Sequence, residues 1–298
     1  MTNLRSKLIS LPSAAAMVTD GDRLAIGGFA VYQRPMAFLR ELIRQKRKDL
    51  TIVGTANGVD VDMLVGAGCV RRIETSYVGL EKRGLALNFR RAVESGAVEI
   101  VDYPEILAFD RFRASQENLP FWPCTYLGGT DILTHNKDIK TFTCPITGKT
   151  IYAVPPAAPR VGIIQAVAAD EQGNVLIPSH HLVPQTLDIL LARSCDVLIV
   201  AAEQIVSRAM IRKHARVNEI PSYRTAAVVE VPWGAHPTSL LGSYRADDEH
   251  MDEYVASSAK PETFSAYLTK YVTNFADHNA YLEQVGVKTL SALREVAL

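Results

Sequence analysis

The stretch Asp20-Gly21-Asp22-Arg23-Leu24-Ala25-Ile26-Gly27-Gly28-Phe29, continued by Ala30-Val31-Tyr32-Gln33-Arg34-Pro35, decides the fold. Asp20-Gly21 is a turn signal, Arg23 to Ile26 a short apolar strand, and Gly27-Gly28 the place where that strand must stop. Two glycines at a strand's carboxyl end permit positive φ and let a ligand approach main-chain N–H groups; without a ligand they are a tight βα turn. Pro35 suits the first turn of a helix whose apolar positions Met36, Phe38, Leu39 and Ile43 recur at helical spacing. Strand, glycine loop and helix together form the unit from which open α/β sheets build ligand crevices.

Outward from this unit the same pattern repeats. Asp49 to Gly54 reads as a second strand followed by the polar turn Thr55 to Asp60, and Val70 to Tyr77 as a third strand broken by Gly79. In a parallel sheet all three loops lie on one edge, and the functional site is expected there. Asn88 to Ser95 is a basic amphipathic helix, and Val98 to Tyr103 the next strand. Pro104-Glu105 then opens a helix running to Asn118. An acid in a helix's first turn serves the macrodipole, but Glu105 also stands just beyond a strand's carboxyl end, where a catalytic group would be placed. Val161 to Ala168 and Val197 to Val200 read as doubly buried strands, Ala226 to Val231 as an edge strand, and Glu262 onward as helical. No repeat or linker divides the chain, so residues 1–298 are expected to form a single domain.

The bulk properties narrow the function. Lys+Arg and Asp+Glu balance at 32 each, which leaves no net field to recruit nucleic acid or an anionic membrane. Cys69, Cys124, Cys144 and Cys195 follow neither zinc nor disulfide spacing. No apolar run approaches the ~18 residues of a membrane span, and the amino terminus has no signal-peptide core, so a cytoplasmic location is expected. His180-His181 are adjacent and point different ways, unlike a pair of metal ligands. His236 reads as a hydrogen-bonded structural histidine.

The opening stretch resembles the A-subunit signature of family I CoA-transferases: Asp/Asn, Gly/Asn, two free positions, three apolar residues, Gly-Gly-Phe, three free positions, Gly, one free position and Pro. Asp20, Gly21, Leu24 to Phe29 and Pro35 match position by position, and Gln33 alone departs, standing where the family has glycine. Asn88-Phe89-Arg90-Arg91, Leu119 to Pro123, Asp170 to Asn174, Gly234-Ala235-His236-Pro237 and Asp277 to Leu282 extend the likeness to A subunits of the glutaconate type over nearly the whole chain. The resemblance implies an α/β fold with an open, mostly parallel sheet and helices on both faces, of the CoA-transferase and isomerase-like kind. It also implies coenzyme A as acyl-CoA substrate, no metal, and a separately encoded B subunit in an A2B2 or larger assembly with a carboxylic acid as second substrate.

In that family a B-subunit glutamate attacks the thioester, giving an anhydride and then an enzyme-CoA thioester that the second acid resolves. No Ser-Glu-Asn-Gly occurs here, and Glu94-Ser95-Gly96 is explained as a helix end. The chain is therefore expected to supply the facing wall: main-chain N–H groups at Gly27, Gly28 and Phe29, side chains of Gln33, Arg34 and Asn57, and the loop Gly79-Leu80-Glu81. Arg34 is either a bidentate partner for a substrate carboxylate or a surface arginine. The serine that the family carries in the third loop is missing from Gly79-Leu80-Glu81-Lys82-Arg83. Two other readings remain. In ring-opening hydrolases and decarboxylases of the family a glutamate aligned with Glu105 acts as base, and a ligand-sensing domain of isomerase-like fold would carry an attached helix-turn-helix.

Overall fold

The computed structural model describes residues 5–178 and 187–295. Seven strands form one parallel sheet: β1 Arg23–Ile26, β2 Leu50–Val53, β3 Val70–Thr75, β4 Glu99–Asp102, β5 Val161–Ala166, β6 Val197–Ala202 and β7 Thr225–Glu230, in the order β7-β6-β5-β1-β2-β3-β4. Leu24 pairs with Ile52 of β2 on one side and with Val161 of β5 on the other. The chain thus winds outward from β1 in one direction, then returns beside β1 and winds outward in the other. The boundary between β1 and β5 is the topological switch point, where open α/β sheets leave a crevice beyond the strands' carboxyl ends.

Side-chain alternation explains why helices cover both faces. Leu24, Ile26, Ile52 and Ile199 belong to one buried cluster with Phe38, Leu39 and Leu64, contributed by helices Met36–Arg44 and Val59–Gly66. Ala25, Val53, Leu198 and Val200 belong to a second cluster with Phe112, Leu187 and Leu191, from helices Glu105–Gln116 and Leu187–Ser194. The central strands β1, β2 and β6 are therefore apolar on both sides, as a sheet with two helical layers requires, whereas the edge strand β4 is largely exposed. The open parallel sheet expected from the sequence is present, and Thr225–Glu230 is an edge strand as expected.

Thr150–Val154 lies outside this sheet. It is the centre of a three-stranded antiparallel flap with Trp122–Cys124 and Lys140–Thr143, packed on Val101, Tyr103 and Leu107 beside β4.

Beneath the β3–β4 side a single buried carboxylate gathers three arginines. Glu74 accepts from Arg23 at 2.9 and 3.0 Å, from Arg72 at 3.0 Å and from Arg111. Burial alone would raise its carboxyl, yet the Arg23 and Arg111 guanidinium groups overcome that and hold it down at about 2. Elsewhere burial, reinforced by neighbouring positive charge, lowers His250 and His278 to about 3. Unfolded, these histidines take up protons from about pH 6.5 and the glutamate from about 4.5. Stability is therefore expected to be full above about pH 6.5 and to fall with acidification toward 3. Each buried histidine costs about 1.4 kcal/mol per pH unit, with Glu74 adding its loss between about 4.5 and 2. Melting curves from pH 8 to 4 test this, and a pH-independent midpoint would contradict it.

Candidate active site

The carboxyl ends of β1 to β4 and the loops after them enclose an open cleft of about 550 Å³. Phe29 enters it after β1, Ala56 after β2, Tyr77 after β3, and Asp102, Tyr103 and Glu105 from the end of β4 onward. Glu81 completes the rim. A larger groove of about 780 Å³ lies between helices Leu87–Glu94 and Pro261–Leu268, away from the strand ends. The strand-end cleft is favoured on chemistry, because three carboxyl groups and two tyrosines line it.

Each of these groups has a local reason for its place. Glu105 is the first residue of its helix and is solvent-exposed, since Pro104 ends the extended segment with ψ 144° and turns the chain over the strand's end. Asp102 is pushed above the ordinary carboxyl range by partial burial. Glu81 has φ +54°, uncommon for a side chain with a Cβ, and the turn it opens is anchored by Arg83 to Asp248 and Asp252. The Tyr77 phenol is raised first by burial and then by the Glu81 carboxylate beside it. Tyr103 forms the floor, and the Arg111 guanidinium stacks 3.8 Å from its ring while holding Glu74.

Of the nine residues expected from the sequence, Phe29, Glu81 and Glu105 line this cleft together. Gly79 stands directly behind it. A Cβ there would lie 2.2 Å from the Tyr77 hydroxyl, so its bareness lets the tyrosine fold over the loop.

The other five are corrected. Gly27 N–H donates to Ile163 O at 2.8 Å and Gly28 N–H to Asp188 Oδ1 at 2.6 Å. Even Phe29 N–H is taken, by Tyr32 O at 3.0 Å. The glycine loop's donors thus serve the chain itself and are not open to a ligand. Arg34 is fully buried and donates to Ala30 O and Gly27 O at 2.9 Å, to Ile26 O at 3.3 Å and to Ala56 O, with Asp60 at 3.2 Å. It laces the carbonyl ends of β1 and β2 together and is neither a substrate clamp nor a surface residue. Asn57 is likewise turned inward, between Asp60 at 3.1 Å and Thr75 at 2.9 Å. Gln33 adopts φ +56° and sends its amide inward to Asp188 and Gln165 O. A left-handed residue explains the glycine that the resemblance places there.

Tyr77, Asp102 and Tyr103 were missed in the sequence. Position after a strand would have flagged them, since all three stand at the ends of β3 and β4.

His180 and His181 lie outside the described residues. His236 bonds Tyr281 Oη at 2.7 Å and Asp247 Oδ2 at 3.0 Å. Among the described residues, His236, Asp247 and His250 could bring three ligand atoms within 4.8 Å of one another. Their ring nitrogens already engage Tyr281, Asp247 and Tyr267, and the buried Arg40 guanidinium stacks on Tyr281 alongside, which opposes a cation.

The model of the coenzyme A transferase family matches residues 9–231. The chain belongs to the coenzyme A transferase family. It is 32% identical to the A subunit of glutaconate CoA-transferase from Acidaminococcus fermentans, over 98% of this chain and 95% of that protein. It is also 32% identical to the A subunit of 3-oxoadipate CoA-transferase from Pseudomonas knackmussii, over 94% and 98%. The cholesterol ring-cleaving hydrolase IpdA subunit of Rhodococcus jostii is 27% identical over 93% and 95%. An uncharacterized Archaeoglobus fulgidus protein is 37% identical over 98% of this chain, which spans 65% of that protein's length. Among solved structures, glutaconate CoA-transferase of A. fermentans superposes with TM-score 0.92 at 31% identity, covering 98% of this chain and 96% of that one. The decarboxylase AibA/AibB superposes with TM-score 0.78 at 28% identity, covering 89% and 100%. The likeness places the chain among enzyme subunits whose substrates are CoA thioesters. No helix among the described residues is long and apolar enough to cross a membrane.

Proposed function

We propose that this chain is the A subunit of a cytoplasmic heteromeric acyl-CoA:carboxylate CoA-transferase, active with a B subunit in an A2B2 or larger assembly. The likeness to the A subunit of glutaconate CoA-transferase along nearly the full length of both chains carries this reading. The cleft fits it, for it is open, lies at four strand ends, and offers a wall of Phe29, Tyr77 and Tyr103 against which an acyl group can pack. The B subunit supplies a glutamate that attacks the thioester carbonyl and releases CoA thiolate. The thiolate then attacks the resulting anhydride at the enzyme's acyl carbon, freeing the first acid and leaving an enzyme-CoA thioester. The second carboxylate resolves that thioester by the reverse of these two steps. Glu81 and Glu105 stand on the wall of this cleft.

A second reading has its own observation. Glu105 is exposed in the cleft with Asp102 close in sequence and raised by burial, an arrangement suited to proton abstraction in a hydrolase or decarboxylase. Glu105→Gln in the assembled enzyme separates the two. The transferase reading expects less than about a tenfold loss of turnover. A base at Glu105 would be worth roughly 10²–10⁴ in rate, and a loss of that size in a folded complex would move the assignment to the second reading.

A further inference from the structure

The switch-point crevice between β1 and β5, where this class of sheet ordinarily receives a ligand, is filled by the chain's own carboxylate. Asp188 stands in the first turn of helix Leu187–Ser194, beyond β5, and is 2% exposed. Its side chain crosses the switch point to the glycine loop after β1, 160 positions earlier. There Oδ1 accepts the Gly28 N–H at 2.6 Å and Oδ2 accepts Gln33 Nε2 at 3.0 Å. A Cβ on Gly27 would lie 2.6 Å from Oδ1, so the bareness of Gly27 is what admits the carboxylate. The two glycines have separate tasks here: Gly27 makes room for the anion, and Gly28 turns at φ +84° and donates to it.

The loop so held runs directly into the cleft. Phe29 follows Gly28, lines the cleft opposite Glu105, and is fixed by exchanging hydrogen bonds with Tyr32, the neighbour of Gln33. Asp188 therefore grips the loop on both sides of Phe29 without entering the cleft. The Gln33 amide is held through its nitrogen, by Asp188 and by Gln165 O at 3.2 Å, while its buried Oε1 has no partner among the described residues.

We propose that Asp188 is a positioning residue for the CoA-thioester cleft, which sets the place of Phe29 by occupying the anion cradle of the glycine loop. The activity arm of this inference rests on the function proposed above; the structural arm does not. Asp188→Ala removes the acceptor, whereas Asp188→Asn keeps an oxygen for Gly28 N–H. Its new NH2 can pair with Gln33 Oε1 if that amide turns over.

The test uses the complex with its B chain, measuring kcat, KM, melting temperature and deuterium uptake of the peptide spanning residues 24–35. Asp188→Ala is expected to lower kcat about 10- to 100-fold, as for a misplacement on the order of 1 Å, with KM little changed and faster uptake in that peptide. Asp188→Asn is expected to restore most of kcat and slow uptake. If the alanine variant does not assemble, Asp188→Glu, which keeps the charge but displaces the carboxylate, is expected to show the same kcat loss. Wild-type kcat and uptake in a folded alanine or glutamate variant would overturn the proposal, and so would equal losses in the alanine and asparagine variants. A wild-type complex without any CoA-thioester turnover would reject the functional reading instead, and the uptake of the two variants would still decide the role of Asp188.

Discussion

Gly28→Val is expected to abolish soluble, folded protein, whereas Gly21→Ala should be tolerated. Both glycines have nearly the same backbone, with φ +84° and +83°. At Gly21 a Cβ would meet nothing within 4 Å, so only left-handed strain of about 1 kcal/mol is added. At Gly28 the Cβ would lie 2.5 Å from Tyr32 O and 2.6 Å from Gln33 O, both backbone atoms that cannot swing aside. A β-branched residue adds a second clash to the strain, for a total on the order of 4 kcal/mol or more, a large part of a domain's stability. Soluble yield and melting temperature measure the difference. A Gly28→Val chain that melts like the wild type would show that the loop has room the structure denies it.

The second large effect is expected from Glu74→Ala. Removing this carboxylate strands Arg111, 2% exposed, and leaves Arg23 and Arg72 facing one another. Breaking a buried ionic group by deleting one member costs about 3–5 kcal/mol, because the remaining charges stay desolvated. For a chain of this size the midpoint should fall by on the order of 10 °C. The cleft should suffer too, since Arg111 loses the anchor that keeps it stacked beneath Tyr103. Pairing Glu74→Ala with Arg111→Leu should recover part of the loss, and strict additivity of the two changes would contradict the network.

Most of the scaffold was legible in the sequence for a local reason. Strands such as Leu50–Val53 and Val197–Ala202 are short apolar runs bounded by turns, and their order along the chain fixes a parallel sheet. The edge carrying the cleft followed from the same logic, and Glu105, singled out at that edge, lines the cleft. What the glycine loop does was not legible, because its partner Asp188 is remote in sequence and nothing local marks it as the occupant. Arg34 failed for a similar reason. A polar residue beside a loop looks exposed until the carbonyl ends of β1 and β2 are seen to converge on it. That Thr150–Val154 belongs to a separate flap was not legible either, since β-propensity says nothing about which strands pair.

Locating the covalent intermediate decides whether this chain forms one wall of a transferase site whose nucleophile lies on another chain. The purified chain and its complex with the B chain would each be incubated with an acyl-CoA, treated with borohydride, and mapped by peptide mass spectrometry. No turnover and no adduct are expected with the chain alone, and in the complex a reduced glutamate on the B chain. An adduct on Glu81 or Glu105, or full transferase turnover by this chain without its partner, would contradict that placement of the nucleophile.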